Sequence, residues 1–379
     1  MSSDIRHGER MVVASCLVAA AVAMAALIGG CQRFGGAPEP AAPAKPAAGQ
    51  SAPASGGAQP AATSSSGAQQ AAPAQKLVVK FSHVVAEDTP KHKAALKFKE
   101  LAEKKSNGSI EVQVFPNSQL YKDAEEFTAL QSNAVQYLAP GTAKFSVSVP
   151  EWQVFDLPYI FPTTEAVIKV ADGPIGAELY KKLSSQKMLG VALWDNGFRY
   201  FTDNKRPMKQ PADFNGLKFR ADGKPAETLV KALGGTAQVM AFAEVFSALQ
   251  QGVVDGQLNT FSNIYSMKFH EVQKYMTLSG SMSYLGYVVV TNAEWYSKLP
   301  DGQRKILDDA MKEATAYERD IAQKENEDGL KKIKDSGKLE IYQLSDSEVA
   351  AWKKAAEVVY PDYEKQIGKD LIDKVRNAK

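Results

Sequence analysis

Cysteine is nearly missing from this chain: Cys16 and Cys31 are its two, and both lie close to the start. A disulfide framework and a thiolate metal site are therefore excluded for the bulk of the sequence. Histidine is almost as scarce, with His7, His83, His92 and His270 scattered and no His-Glu-x-x-His pair to hold a metal. There is no Gly-x-Ser-x-Gly elbow for a nucleophile and no Gly-x-x-x-x-Gly-Lys loop for a nucleotide. Asp and Glu are spread along polar helical stretches. These absences point away from catalysis, a cofactor or a metal. The formal charge is +2, and Lys and Arg alternate with acids instead of forming a stripe, so nucleic acid is not an expected partner.

What is present begins with Arg6 and Arg10, an apolar run from Met11 to Ile28, and then Gly29-Gly30-Cys31. Basic, apolar and small-residue regions in that order describe a secretory signal. The run is also long enough for a membrane-spanning anchor. The Ile-Gly-Gly-Cys ending favours a lipoprotein signal over 1–31, with Cys31 acylated and the protein held at a membrane outside the cytoplasm. Residues 32–75 are mostly Ala, Pro, Gly, Ser and Gln and lack the apolar residues that would offset the entropy of ordering, so they are expected to be a disordered tether. Its reach is roughly 35–40 Å at ~5–6 Å times the square root of its length.

From Lys76 onward the chain alternates strand and helix signals, the pattern of an α/β protein. Leu77–Phe81 reads as a buried parallel strand, and Thr89-Pro90 opens a helix that ends at Asn107-Gly108. Ile110–Phe115 is the next strand. Ala134–Leu138 and Met188–Trp194 follow, with Val154–Tyr159 expected to continue the sheet region and a helix between Ile175 and Gln186. Gln303 to about Lys334 is one long polar helix of ~45 Å, and Ser345–Ile367 holds the closing helices. About 300 residues are enough for two domains.

The stretch 215–276 reads as strand, helix, strand, helix, strand. Leu217 and Phe219 alternate with Lys218 and Arg220, and a turn with Gly223 and Pro225 follows. Arg220 thus stands where open α/β sheets bind ligands, past the carboxyl end of a strand. Its planar, permanently charged fork suits a carboxylate, either on a small organic acid or on an Asp or Glu of its own domain. Arg199, after the strand ending near Trp194, has the same placement.

The run AFAEVFSALQQGVVDGQLNTFSNIYSMKFHEVQKYMTLSG resembles the signature of the solute-binding proteins of TRAP transporters, ion-gradient-driven importers of organic acids. VVKFSHVVAEDTPKHKAALKFKELAEKKSNG, PNSQLYKDAEEF and FDLPYIFP resemble the same family in its four-carbon dicarboxylate branch, the DctP type. The resemblance spans Lys76 to the C-terminus. It implies the two-lobed periplasmic binding protein fold, with a ligand cleft between lobes and a long helix linking them. Lobe I would comprise 76–196 and 285–323, and lobe II 197–284 and 324–379. It also implies capture of succinate, malate or fumarate by domain closure, and delivery to the small and large membrane subunits.

By the same resemblance Arg220 clamps the substrate carboxylate, Asn259 hydrogen-bonds it, Arg199 is a second arginine used by some members, and Phe242 lines the pocket. His83 and Val84 form a wall from the first lobe, with His83 either a ligand or a structural histidine. Lys122 is placed to meet the distal carboxylate, and Asn263 and Tyr265 lie within reach by spacing. Leu258 stands where the family commonly has Glu, and the Gly223-Lys224-Pro225 turn departs from commoner versions. These departures keep another organic acid, such as a sugar or keto acid, in view. A periplasmic protein presenting its ligand to a sensor is the alternative from a different class.

Overall fold

The computed structural model describes residues 76–378, so the signal, Cys31 and the tether lie outside the described residues. The first strand, β1 (Leu77–Ser82), leads to Thr89, whose hydroxyl accepts a hydrogen bond from the His92 N–H and caps α1 (Pro90–Lys105), with Pro90 in the first turn. Then come β2 (Ile110–Phe115), α2 (Glu126–Gln131), the short β3 (Tyr137–Leu138), α3 (Thr164–Asp172), α4 (Pro174–Lys182) and a long crossing strand, β4 (Met188–Phe198). The chain continues through β5 (Tyr200–Asp203), β6 (Lys218–Ala221), α5 (Lys224–Ala232), β7 (Thr236–Val239), α6 (Val245–Gln250), β8 (Gly256–Asn259), α7 (Phe261–Ser266) and β9 (Tyr275–Leu278). It returns along β10 (Tyr284–Asn292) to α8 (Ala293–Ser297) and α9 (Asp301–Ser336), and ends with β11 (Glu340–Gln343), α10 (Asp346–Ala356), α11 (Tyr360–Ile367) and α12 (Lys369–Asn377).

Two sheets form. One has the order β2-β1-β3-β10-β4, the other β11-β9-β5-β8-β6-β7. Strands β1, β2 and β3 are parallel, as are β6, β7 and β8. In the second sheet Asp255 Oδ2 accepts from the Lys218 N–H, which pins the entry of β8 to that of β6. Gly256 is required beside it: a Cβ would come within 2.2 Å of the Thr202 carbonyl oxygen on β5.

The two lobes share α9. At 36 residues it is ~54 Å long. Its first half buries Leu307, Ala310, Met311 and Ala314 in a core shared with Ala95, Phe98 and Leu101 of α1. Its middle is fastened to β4, where Glu318 accepts from the Asp195 N–H at 2.8 Å and Asn326 donates to the Asn196 carbonyl at 2.7 Å. Farther on, Gly329 lets it close against α7.

Several expectations shift. Val154–Tyr159 is no strand: Pro150–Asp156 is a 3₁₀ helix, whose Val154 and Phe155 are buried on all sides, so their short apolar run carries no usable period. Only Tyr137 and Leu138 of the strand expected over 134–138 pair in the sheet. Strand β4 runs on through Asp195–Phe198, because β10 pairs with it along that length. The helix expected at 175–186 ends as α4 at Lys182, followed by a 3₁₀ turn. The expected division into lobes also changes at the C-terminus. Val359, Tyr363, Ile367, Ile372 and Val375 pack with Leu138, Trp152 and Val288 of the first lobe, whereas Trp352 packs with Phe214 and Phe219 of the second.

A Cβ on Gly329 would stand 3.0 Å from the Phe261 carbonyl group, and the atoms of a branched side chain would come closer. Gly329→Val is expected to cost about 1–3 kcal/mol and lower the melting midpoint by several degrees. Gly302→Ala, in open space on the same helix, should not lower it; differential scanning calorimetry of the pair checks this.

Candidate ligand-binding site

Both sheets turn strand ends toward one cavity. Arg220 is next to last in β6 and pairs in register with Gln257 of β8, so Arg220 and Asn259, two residues past Gln257, both lie at the carboxyl ends of adjacent parallel strands. From the other lobe, Val84 and Val85 follow β1, Gly141 and Lys144 follow β3, and Lys91 comes from the first turn of α1. With Asp123, Asp222, Phe242, Asn263, Leu285 and Tyr287 these residues enclose about 40 Å³.

Arg220 is 3% exposed. Its Nε and Nη2 both donate to the Met240 carbonyl, at 3.3 and 3.2 Å, and the Phe242 ring lies 5.8 Å from the guanidinium carbon. Burial lowers its pKa, against the pull of Asp222 and Asp123. Lys91 is 1% exposed, donates to the Ala139 carbonyl at 2.9 Å and sits 3.6 Å over the Tyr287 ring. Burial pushes the Lys91 ammonium down, while nearby Glu126 and Asp123 favour the charge. Burial and Asp123 push the Glu126 carboxyl up, which weakens it as a counter-ion. Among the described residues neither Lys91 nor Arg220 has a carboxylate within ion-pair distance. Lys91 also occupies the positive end of its helix, where a cation is disfavoured.

The acids lining the cavity are engaged elsewhere. Asp123 accepts from the Phe242 N–H at 2.7 Å and pairs with Lys144 at 3.2 Å. Burial raises its pKa, but Lys144, the Phe242 N–H and Arg220 together outweigh this and hold it below the usual carboxylate range. Asp222 binds Arg199 at 2.8 Å. Asn259 Oδ1 accepts from the Thr260 N–H and from Asn263 Nδ2, which leaves its own amide N–H groups to donate. The Tyr287 hydroxyl accepts from Asn196 and Asn263 and keeps its proton for a further acceptor.

Of the residues singled out in the sequence, Arg220, Asn259, Phe242, Asn263 and Val84 come together here. Three do not. Arg199 is 1% exposed, with its guanidinium bound to Ser283, Asp156 and Asp222, so no face is left for a ligand. Lys122 is exposed and pairs with Glu244 at 3.1 Å on the rim. His83 is fully buried behind the wall, its Nε2 3.1 Å from His92 Nδ1. Tyr265 stacks on His270 away from the cavity. Conversely, Lys91, Lys144, Asp123 and Tyr287 were not singled out. The signal for Lys91 was a lysine directly after Thr89-Pro90, in a helical first turn that carries no acid; Tyr287 is hidden in the apolar strand Tyr284–Val290.

A larger groove of about 750 Å³ lies between α4, β4 and α9, lined by Tyr180, Asp308 and Arg319 among others. Arg319 is bound to Asp172 there, and among the described residues no unpaired buried charges converge on it. The smaller cavity is therefore the candidate site.

Residues 81–366 match the DctP family, bacterial extracellular solute-binding protein family 7, and the chain belongs to that family. It is 48% identical over 307 residues to the C4-dicarboxylate-binding periplasmic protein DctP of Rhodobacter capsulatus, covering 80% of this chain and 92% of that one. To the C4-dicarboxylate-binding protein DctB of Bacillus subtilis it is 44% identical over 298 residues, covering 78% and 85%. A TRAP periplasmic solute-binding protein from Sulfurospirillum deleyianum, solved with bound succinate, superposes with a TM-score of 0.78 at 44% identity, covering 80% of this chain and 99% of that one. The two-lobed TRAP-type fold and the extracytoplasmic solute-binding class expected from the motifs hold.

Burial, with Lys91 and His92 nearby, lowers the His83 pKa well below 6.5, and burial lowers that of His92, against Glu87. The unfolded chain then binds protons that the folded one refuses. Stability from the neutral pair is complete above the unfolded value and is lost as pH falls below it. The melting midpoint of the protein is expected to drop more between about pH 7.5 and 5.5 than that of His83→Gln; equal slopes would show that the pair does not titrate on unfolding.

Proposed function

We propose that this chain is the solute-binding component of a TRAP transporter and captures a four-carbon dicarboxylate between its lobes. The observation that carries the reading is the pair of buried cations, one from each lobe, that among the described residues have no carboxylate within ion-pair distance. Arg220, with Asn259, would hold one carboxylate, Lys91 and the Tyr287 hydroxyl the other, and Phe242, Val84 and Leu285 would cover the carbon chain. Each charged hydrogen bond contributes roughly 1.5–3 kcal/mol, so a few reach the ~8 kcal/mol of micromolar binding. A monoacid would leave one cation unmatched, which gives discrimination by charge.

Because the ligand touches both lobes, it favours the closed arrangement over the open one, and closure is the signal the membrane subunits would read. The names and bound ligands of the relatives support the substrate class. Binding leaves the acid chemically unchanged. The sequence Ile28-Gly29-Gly30-Cys31 supports an acylated Cys31 and a tether beneath the binding module.

Calorimetric titration of the protein, stripped of co-purified ligand, should show binding of at least one of succinate, malate and fumarate and much weaker binding of butyrate. Binding of sugar acids alone would keep the family and discard the diacid. Arg220→Lys should retain the fold and lose at least roughly tenfold in affinity, since an ammonium cannot reproduce the two-point contact; unchanged affinity would remove Arg220 from the site. Cys31→Ser should move the protein from the membrane fraction to the soluble one, and retention at the membrane would contradict acylation.

A further inference from the structure

Asp222 lines the cavity two residues past Arg220, and its two oxygens differ. Oδ2 accepts from Arg199 Nη1 at 2.8 Å. Oδ1 is buried and has no hydrogen-bond partner. Arg199 cannot turn to serve it, because its Nε and Nη2 are held by Ser283 at 2.9 and 2.6 Å and by Asp156 at 3.1 Å. Lys144 is taken by Asp123. Burial would raise the Asp222 pKa, but Arg199, Arg220 and Lys144 outweigh it and keep the group ionised.

An ionised carboxylate has only acceptors to offer. The Asn263 Oδ1 in the same cavity also lacks a partner, but it is a neutral amide oxygen and brings no charge that a diacid would have to face. Asp222 is charged as well as unpartnered, so its Oδ1 is matched only when the ligand brings an O–H or N–H. Succinate and fumarate ionised at both ends bring neither, and their nearest carboxylate would be repelled. An ammonium would enter among Lys91, Lys144 and Arg220, a cluster of like charge. A hydroxyl on the carbon chain donates without adding charge.

Resting on the reading of the cavity as a dicarboxylate site, we propose that Asp222 makes it selective for a 2-hydroxy dicarboxylate by accepting a hydrogen bond from the substrate hydroxyl. Arg199 is then a positioning residue, which fixes the carboxylate so that Oδ1 is the oxygen left for the ligand.

Calorimetric titration of the stripped protein with the two malate enantiomers, succinate and 2-methylsuccinate tests this, the last having a methyl group in place of the hydroxyl. One malate enantiomer should bind at least roughly tenfold tighter than both succinate and 2-methylsuccinate. In Asp222→Asn, which keeps an oxygen for Arg199 but removes the charge, succinate should tighten and the ratio should fall. Circular dichroism confirms that the variant is folded; if it is not, the ratio in the parent protein decides alone. Malate and succinate binding within about threefold of each other in the parent would overturn the selectivity and leave the diacid site standing. A ratio unchanged in folded Asp222→Asn would place the selectivity elsewhere. Failure of every four-carbon diacid to bind would overturn the site reading itself, and this proposal with it.

Discussion

Two buried cations, Lys91 on the first lobe and Arg220 on the second, face one cavity, and among the described residues no carboxylate lies within ion-pair distance of either. Leaving a buried charge unpaired costs several kcal/mol, so the closed arrangement is costly until an anion arrives. The nearby acids are prevented from filling that role. Asp123 is held by Lys144 and the Phe242 N–H, and Asp222 by Arg199. Of these contacts, that of Asp123 with the Phe242 N–H joins the two lobes, and the two cations come from opposite sides of the cavity. In the proposed capture ligand and closure would be linked: an acid with two charged ends would neutralise one cation on each side, and one with a single charge would leave half of the cost in place.

The fold supplies rigid mounts for this. Arg220 and Asn259 end neighbouring parallel strands, and Lys91 sits in the first turn of a helix whose other end is packed on α9. The same long helix is hydrogen-bonded to the crossing strand through Glu318 and Asn326, then closes on α7 at Gly329. Arg220, Asn259 and Lys91 are thus carried on regular elements, and the lobes are connected through the strand crossings and α9.

Much of this was legible in the sequence. Arg220 could be placed because a four-residue alternation and a Gly-Pro turn fix a strand end, and strand ends are where such sheets bind. Asn259 and Phe242 came from the family motif. Lys91 escaped because the first turn of α1, Pro-Lys-His-Lys, looks like any solvated helix start. Its burial is decided by the packing of Tyr287 and the Ala139 carbonyl, more than forty positions away. Lys122 looked the better candidate, yet it reaches only the rim. Arg199 showed the right position with the wrong partner: a strand-end arginine is equally suited to a protein carboxylate, and Asp156 and Asp222 supply two. The resemblance implied the second lobe for the C-terminal helices, and nothing in their amphipathic pattern says which core receives them.

The most direct test is the structure of the protein with a bound four-carbon diacid. A closed form is expected, with one carboxylate on Arg220 and Asn259, the other on Lys91, and the carbon chain against Phe242. An acid bound through the Arg199 guanidinium, or one that leaves the Lys91 ammonium without a carboxylate contact, would contradict it.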